Sequence, residues 1–352
     1  GTPIFTPYLE MPHLEDYDLK FVTVQARQEN GWQFDDAELK KLLDPKIKAF
    51  FVVNPGNPSA VALSEKTIAK IGAILKKRPD LILLTDDVYG TFVPGFRSLL
   101  GAFPYNTIGV YSYSKYFGCT GWRLGVIAVH EDNLFDRLIA QHPETVQKKL
   151  DKRYSALTLE PRKIRFIDRI VADSRDVALN HTAGLSLPQQ VMMALFSLYE
   201  LMDTKKHYQK ACMGIVKKRV EATLEGLGIE VEKNPLHDQY YGLIDFEYWA
   251  RKNLGEDVVK WMKENIHPLD IVFRLAEDHG IVLLNGSGFE APDWSVRISF
   301  ANLNDHVYDD IGRAVRAVGR SYRQAYEASK GKEAKGKAVK ATPAPGARAK
   351  KK

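Results

Sequence analysis

The sequence predicts an α/β protein in which a large domain with a mostly parallel sheet precedes a smaller α+β domain. Residues 48–53 and 81–85 are short, almost continuously apolar runs, as strands are when both faces of a sheet are covered. Between them, Ser64 can cap a helix that runs to about Arg78 with isoleucines along one face. Buried strands that alternate with helices are typical of a parallel sheet.

The other elements follow from the same periodicities. Further strands are predicted at 107–113, 124–129, 242–246, 281–285 and 295–300. Helices are predicted within the charged stretch 132–173 and at 187–201, 204–227, 256–264, 268–279 and 305–328. The long stretch 204–227 can link two domains. We therefore expect a large domain over 1–205, incomplete at its N-terminus, and a small domain with its linking helix over 206–329.

The positive charge of the chain is concentrated at its C-terminal end. The 352 residues carry a net charge of +6, yet nine basic residues and one acidic residue in 330–352 give that segment +8 and leave −2 for 1–329. This segment is rich in Lys, Ala, Gly and Pro and has almost no large apolar side chains. It is predicted to be a disordered, solvated tail. A nucleic-acid partner is therefore not expected.

Composition excludes several classes of protein. A chain that is 45% hydrophobic and 27% charged is not disordered. Two cysteines cannot build a disulfide framework, which favours a reducing, cytoplasmic location. No apolar run approaches the roughly 18 residues that a membrane span needs, and no secretory signal is visible. No His and Cys spacing indicates a metal site.

Polar motifs follow three of the predicted strands at their carboxyl ends. Asn57 comes after the first strand, Asp86 after the second, and Ser112 and Lys115 after the third. Ligands bind at the carboxyl ends of strands in doubly wound sheets, so these motifs are expected to converge on one crevice. A fourth motif, centred on Arg297, lies on a late strand.

These residue types suit one cofactor. A lysine in a Gly-flanked loop can form a Schiff base with an aldehyde, and a carboxylate can pair with a pyridinium nitrogen. Asn and Tyr can hydrogen-bond a phenolic oxygen. Ser112, Ser114 and Arg123 suit a phosphate, and Arg297 suits an α-carboxylate. The set predicts pyridoxal 5′-phosphate bound to an amino acid. Taken singly, each residue has a plainer interpretation: a solvated lysine, a turn-capping aspartate or an ordinary strand arginine.

Four motifs in order, NPGNPS, TDDVYG, SYSKYFGCTGWRLG and SVRISFANL, resemble the class I/II aminotransferases of fold type I, which bind pyridoxal 5′-phosphate. The segments PYLEMP and ADSRDVALNHTAGLSLPQQ resemble the aspartate 4-decarboxylases within that superfamily. The resemblance implies β-decarboxylation of L-aspartate to L-alanine and CO2, with aspartate aminotransferase side activity. It also implies a homo-oligomer, at least a dimer and larger here. The alternatives are an ordinary aminotransferase for another amino acid or an inactive fragment.

The resemblance also implies residue roles. Lys115 is expected to carry the Schiff base, and Arg297 to anchor the α-carboxylate. The remaining cofactor ligands are expected to be Asp86 at the pyridinium nitrogen, Tyr89 and Asn57 at the ring oxygen, and Ser112, Ser114 and Arg123 at the phosphate. Arg175 and Thr182 are candidates for substrate or cofactor contacts at a subunit boundary. The family's Gly-rich phosphate loop, ring-stacking aromatic residue and N-terminal arm are expected to precede residue 1.

Overall fold

The structure is a computed structural model that describes residues 1–10, 20–177, 184–230 and 233–340, without the side chains of 176–177 and 332–340. In the first part of the chain the elements are β1 (Ala26–Arg27), β2 (Gln33–Phe34), α1 (Asp36–Lys40), β3 (Ala49–Val53), α2 (Glu65–Leu75), β4 (Ile82–Asp86), α3 (Leu99–Ala102), β5 (Thr107–Ser112), α4 (Tyr113–Tyr116), β6 (Gly125–Val129), α5 (Leu134–Ala140), α6 (Glu144–Tyr154), α7 (Phe166–Val177) and α8 (Leu187–Met202).

The second half of the chain begins with a long helix and contains the second sheet. Its elements are α9 (His207–Leu227), β7 (Tyr241–Asp245), α10 (Phe246–Leu254), α11 (Glu256–Asn265), α12 (Asp270–His279), β8 (Leu284–Asn285), β9 (Ser295–Ser299) and α13 (Val307–Lys340). Within the described ranges, no helix is long and apolar enough to cross a membrane.

A four-stranded sheet in the order β3-β4-β5-β6 forms the centre of the first half. The first three strands are parallel and β6 is antiparallel to β5, so the prediction of a mostly parallel sheet is confirmed. Val53 lies opposite Asp86, and Asp86 lies opposite Val110. The carboxyl ends of the parallel strands therefore meet at one edge, where the polar motifs begin.

Helix α2 begins where its cap predicted. The Ser64 side chain accepts a hydrogen bond from the Thr67 N–H, which satisfies one of the free donors of the first turn. Ile68 and Ile71 are buried against the sheet, and each contributes about 1.5–3 kcal/mol relative to an exposed position. The helix ends at Leu75, earlier than the predicted end at Arg78.

The second sheet is antiparallel, in the order β7-β9-β8. Its third strand is shorter than the predicted 281–285, because Gly280 ends α12 with φ 65° and the Ile281 N–H still bonds to Leu275 O. Helices α9 and α13 cross close to this sheet. At the crossing, a side chain on Gly312 would meet the Thr223 carbonyl oxygen, so the close approach of the two helices requires glycine.

Helix α13 is longer than predicted. The sequence predicted a helix ending near 328 and a disordered tail over 330–352, but the backbone stays helical to Lys340. The physical reason is that a Lys- and Ala-rich segment has high helix propensity and here extends a helix that is already formed. Residues 341–352, the rest of the predicted tail, lie outside the described residues.

Candidate active site

Asn57 lies in the turn that follows β3 and is only 2% exposed. The preceding turn is tied to the neighbouring strand, because the Asn54 N–H donates to Asp86 O at 2.8 Å. Asn57 is also within reach of the second half of the chain, since its Oδ1 accepts a hydrogen bond from Arg297 Nη1 at 3.1 Å. The first and fourth sequence motifs are therefore in direct contact.

Asp86 ends β4 with a half-buried carboxylate that accepts hydrogen bonds from two donors. Its Oδ2 accepts a hydrogen bond from the Tyr8 hydroxyl at 2.9 Å, and its Oδ1 accepts one from the Val88 N–H at 3.2 Å. Burial raises the pKa of Asp86, while these two hydrogen bonds and the charge of Lys115 oppose the rise. The two donors fix the direction of the carboxylate.

Tyr8 is a site residue that sequence reasoning missed. Its ring packs edge-on against Phe51, with centroids 4.5 Å apart, and the Phe5 ring lies 5.8 Å away. Burial raises the pKa of Tyr8, and Asp86 raises it further, so the hydroxyl stays a donor. The segment PYLEMP had signalled only the family resemblance, and nothing in it predicted a contact with a residue 78 positions away.

Lys115 lies in the short helix α4, directly after β5. The turn is fixed by Ser112, whose side chain accepts a hydrogen bond from the Ser114 N–H. Lys115 Nζ lies 5.8 Å from the centroid of the Tyr240 ring, so the residues before β7 form part of the wall around the amine. Tyr240 is a second residue that the sequence interpretation did not include.

Tyr89 lies within a cluster of buried tyrosines. It is 3% exposed, and its ring centroid lies 5.5 Å from that of Tyr240 and 5.4 Å from that of Tyr241. Burial and the neighbouring phenols and carboxylates raise the pKa of Tyr89. Its hydroxyl is therefore protonated at neutral pH.

Arg297 extends from β9 between two aromatic rings. Its guanidinium carbon lies 4.3 Å from the Tyr241 ring centroid and 4.7 Å from that of Phe289. Its Nη1 donates to Asn57, but its Nε is buried and has no hydrogen-bond partner among the described residues. A half-buried cation with an unused donor suits a carboxylate ligand, because arginine presents a planar fork of donors.

The predicted phosphate ligands lie side by side. Ser112 Oγ is 3.0 Å from Ser114 Oγ and 3.2 Å from the Leu124 carbonyl oxygen. Arg123 precedes Leu124 with φ 55°, and its exposed side chain donates to Thr120 O at 3.2 Å. This arrangement places two hydroxyls and one guanidinium next to the helical turn that carries Lys115.

The chain matches the model of the family "Aminotransferase class I and II" over residues 3–315. It belongs to this family. A Pseudomonas protein named "Bifunctional aspartate aminotransferase and L-aspartate beta-decarboxylase" is 49% identical over 329 residues, which are 93% of this chain and 62% of that protein. Barley (Hordeum vulgare) nicotianamine aminotransferase B is 25% identical over 293 residues, 81% of this chain and 44% of that one. The chain thus spans less than two thirds of the length of these two relatives.

Solved aminotransferase structures share the fold. Aspartate aminotransferase from Thermus thermophilus, solved with maleate, superposes with a TM-score of 0.60 at 18% identity, covering 90% of this chain and 68% of that one. The Thermotoga maritima aspartate aminotransferase gives 0.58 at 18% identity, covering 90% of this chain and 68% of that one. The prediction of fold type I is confirmed.

Enzymes of the aminotransferase family depend on pyridoxal 5′-phosphate, and the residues present fit that group. The half-buried Asp86 carboxylate suits a cationic ring nitrogen, the amine of Lys115 suits an aldehyde, and the orphaned Nε of Arg297 suits a carboxylate. The structure places these three residues, Asp86, Lys115 and Arg297, in one connected cluster of side chains.

Two predicted site residues are not in this cluster. Arg175 is exposed in the last turn of α7, and no hydrogen bond or ion pair to the rest of the described chain joins it to the site. Thr182 lies outside the described residues. The suggested roles of these two residues remain predictions.

Proposed function

We propose that this chain is the greater part of a pyridoxal 5′-phosphate enzyme that removes the β-carboxylate of L-aspartate, forming L-alanine and CO2, and that also transaminates aspartate. The observation that carries the proposal is the joining of Arg297 to Asn57, beside Asp86 and Lys115. Arg297, which would bind an acid group of the substrate, thereby lies near the Lys115 amine and the Asp86 carboxylate. The bifunctional Pseudomonas relative supports the choice of substrate.

Seven side chains would hold the cofactor. Lys115 Nζ would bond to its aldehyde carbon, and Asp86 would pair with its ring nitrogen. Tyr89 and Asn57 would hydrogen-bond the ring oxygen. The phosphate would lie against Ser112, Ser114 and Arg123. When bound, the cofactor supplies an electron sink for the substrate α-carbon.

The chain's own residues then orient the substrate and move its protons. Arg297 binds the α-carboxylate through the guanidinium edge that Asn57 leaves free. Lys115 Nζ would take the proton from the substrate α-carbon as a general base. Asp86, held by Tyr8 and the Val88 N–H, keeps a negative charge beside the ring nitrogen.

The outcome is decided at the substrate β-carboxylate. Its charge disappears when CO2 leaves, the electron pair of the broken C–C bond stays with the product, and a proton adds at the β-carbon. A cation bound tightly to that carboxylate would stabilise the starting state more than the transition state and would slow the loss of CO2. The rings of Tyr240, Tyr241 and Phe289 lie beside Lys115 and Arg297, and exclusion of water by these rings would favour loss of CO2 over hydrolysis to oxaloacetate.

The test uses the 352-residue chain with pyridoxal 5′-phosphate and L-aspartate. Alanine and CO2 in equal amounts are expected. Oxaloacetate that forms only when a keto acid acceptor is added would show plain transamination and contradict the proposal. Lys115→Ala is expected to abolish the visible absorbance of the bound cofactor, whereas Lys152→Ala, an exposed lysine on α6, retains it.

We also propose that the protein acts as a homo-oligomer, at least a dimer, in a reducing cytoplasm. The outer face of α8 supports assembly, because a continuous stripe of large apolar side chains is exposed along it: Leu187, Val191, Leu195, Leu198 and Met202. Exposed apolar patches of this extent mark contact surfaces. Cys119 and Cys212 are free thiols, the form that a reducing compartment maintains.

A further inference from the structure

Arg297 is a half-buried cation whose partners in the described part of the chain are an amide and two aromatic rings. The Asn57 amide oxygen accepts a hydrogen bond from its Nη1 at 3.1 Å. The guanidinium carbon lies 4.3 Å from the centroid of the Tyr241 ring and 4.7 Å from that of Phe289. The support of this cation therefore comes from groups that do not neutralise its charge.

The strand register explains why Tyr241 meets Arg297. Strands β7 and β9 are antiparallel, and Arg297 lies opposite Leu243. Because side chains alternate between the two faces of a sheet, Tyr241 and Leu243 share one face. Tyr241 is thus the diagonal neighbour of Arg297, a position that aromatic and long side chains can reach.

Both rings are held in place by their own packing. Tyr241 is 6% exposed and Phe289 is 3% exposed. The Tyr241 ring packs against those of Tyr89 and Tyr240, with centroids 5.4 Å and 5.2 Å apart. The Phe289 carbonyl oxygen accepts a hydrogen bond from the Ile4 N–H at 2.9 Å. Neither ring can turn away from the guanidinium without disturbing these neighbours.

The chemistry of the two rings suits a cation that must stay available to a ligand. The face of an aromatic ring attracts a cation through its quadrupole, although the ring has no net charge. A carboxylate in the same place would also hold the arginine, but it would occupy the donors and cancel the charge. An aliphatic side chain would fill the space without attracting the guanidinium.

We propose that Tyr241 and Phe289 are positioning residues, whose rings hold the Arg297 guanidinium beside Asn57 in place of a counter-ion. The charge and the free donors of Arg297 then stay available to the substrate carboxylate. A side chain that is ordered before binding also loses less conformational freedom when the ligand arrives. The inference deepens the proposed function and rests on it, since it concerns the carboxylate that Arg297 is proposed to bind.

The experiment titrates maleate into the 352-residue chain loaded with pyridoxal 5′-phosphate and measures the heat of binding. Maleate is a four-carbon dicarboxylate like aspartate, and it cannot react because it has no amino group. Tyr241→Leu is expected to raise the Kd for maleate about tenfold, and Phe289→Leu about three- to tenfold, since each removes a ring from a poorly hydrated cation. Tyr241→Phe retains the ring and is expected to keep the Kd within about twofold.

The matched control is Phe246→Leu. Phe246 is a fully buried ring directly after β7, and its ring partners are Trp249, Trp294 and Tyr322. This change is expected to lower the melting temperature, because it removes packed atoms from the core, and to leave the Kd for maleate unchanged. An equal rise in Kd in Phe246→Leu and Tyr241→Leu would assign the effect to a loosened core and overturn the proposal.

Steady-state kinetics with L-aspartate provide a second readout. The α-carboxylate stays bound to Arg297 before and during the reaction. Tyr241→Leu is therefore expected to raise KM about tenfold and to change kcat by less than about threefold. A merely structural residue would reduce the amount of active protein, and hence the apparent kcat, at an unchanged KM; that result would contradict the inference.

Two further outcomes would overturn the proposal. One is an unchanged maleate affinity in both leucine variants, and the other is an effect of Tyr241→Phe as large as that of Tyr241→Leu, which would assign it to the hydroxyl. If leucine at 241 prevents folding, Phe289→Leu against Phe246→Leu makes the same comparison. A chain that binds maleate but forms no alanine from aspartate would contradict the proposed function alone, and the maleate series would still decide this inference.

Discussion

The Tyr8 hydroxyl is the donor that orients the Asp86 carboxylate, at 2.9 Å. Tyr8→Phe removes this donor and keeps the ring that packs on Phe51. We expect the affinity for pyridoxal 5′-phosphate to fall about tenfold, because a hydrogen bond to a charged group contributes about 1.5 kcal/mol. Titration of each protein with pyridoxal 5′-phosphate, followed by the visible absorbance of the bound cofactor, measures this affinity. Tyr248→Phe, an exposed tyrosine, is the control. Equal affinities for the two variants would show that Tyr8 does not support Asp86.

Asp87, next to Asp86, makes stability depend on pH. Burial raises the pKa of Asp87 to about 6, opposed by hydrogen bonds from Ser98 and Thr85. Because the folded state then binds the proton more tightly than the unfolded state, stability is highest below the unfolded pKa and falls as pH rises to about 6. The loss is on the order of 2–3 kcal/mol.

Asp87→Asn is expected to remove this part of the slope in the free energy of unfolding between pH 4 and 6. Urea unfolding at a series of pH values measures the slope. Asp168→Asn, an exposed aspartate on α7, is the control and is expected to retain it. A slope in Asp87→Asn that equals that of the unmodified chain would assign the pH dependence to other carboxyl groups.

At the scale of elements, two glycines of the same helix differ in whether they can accept a side chain. A Cβ on Gly312 in α13 would overlap the Thr223 carbonyl oxygen of α9, while Gly331 in the same helix has nothing within 4 Å of that position. Gly312→Ala is expected to destabilise the fold by about 2 kcal/mol or more, because the packed helices must separate. Gly331→Ala is expected to be neutral or to stabilise by up to about 1 kcal/mol. Urea midpoints of the two variants measure the contrast; destabilisation of equal size in both would contradict it.

Element boundaries could be predicted from the sequence where a local signal exists. The cap at Ser64 gave the start of α2, and the apolar runs gave the strands of the main sheet. The third strand of the small sheet was overestimated, because the apolar residues 281–283 still follow the end of α12 and Val282 is 81% exposed. Hydrophobicity alone does not distinguish a strand from a chain leaving a helix.

At the scale of the whole molecule, the α8 stripe predicts self-association. Leu195→Glu combined with Leu198→Glu places charges on a face that is otherwise apolar. We expect these changes to shift the protein toward monomers by about tenfold or more in dissociation constant, because charges cannot be buried unpaired in a contact. Light scattering during gel filtration measures the mass. Lys260→Glu on the exposed face of α11 is the control. A monomeric unmodified chain would contradict the proposed assembly.

Long-range contacts set the limit of what the sequence could predict. Four motifs in order predicted the crevice, and the structure brings Asn57, Asp86, Tyr89, Lys115 and Arg297 together. Tyr8 and Tyr240 were missed, because each reaches the site from a distant part of the chain and neither lies in a motif with a chemical signature. Contacts of this kind depend on the packing of segments that are far apart in the sequence, which no local pattern encodes.

The hydrogen bond between Arg297 and Asn57 spans 240 residues and joins the strand β9 to the turn after β3 at 3.1 Å. The amide that is proposed to touch the cofactor ring therefore also holds the guanidinium that is proposed to receive the substrate. A replacement of either part of the chain therefore has to preserve the register of β9. A shift of β9 by two residues would leave both side chains in the sequence, yet it would separate the Asn57 amide from the Arg297 guanidinium.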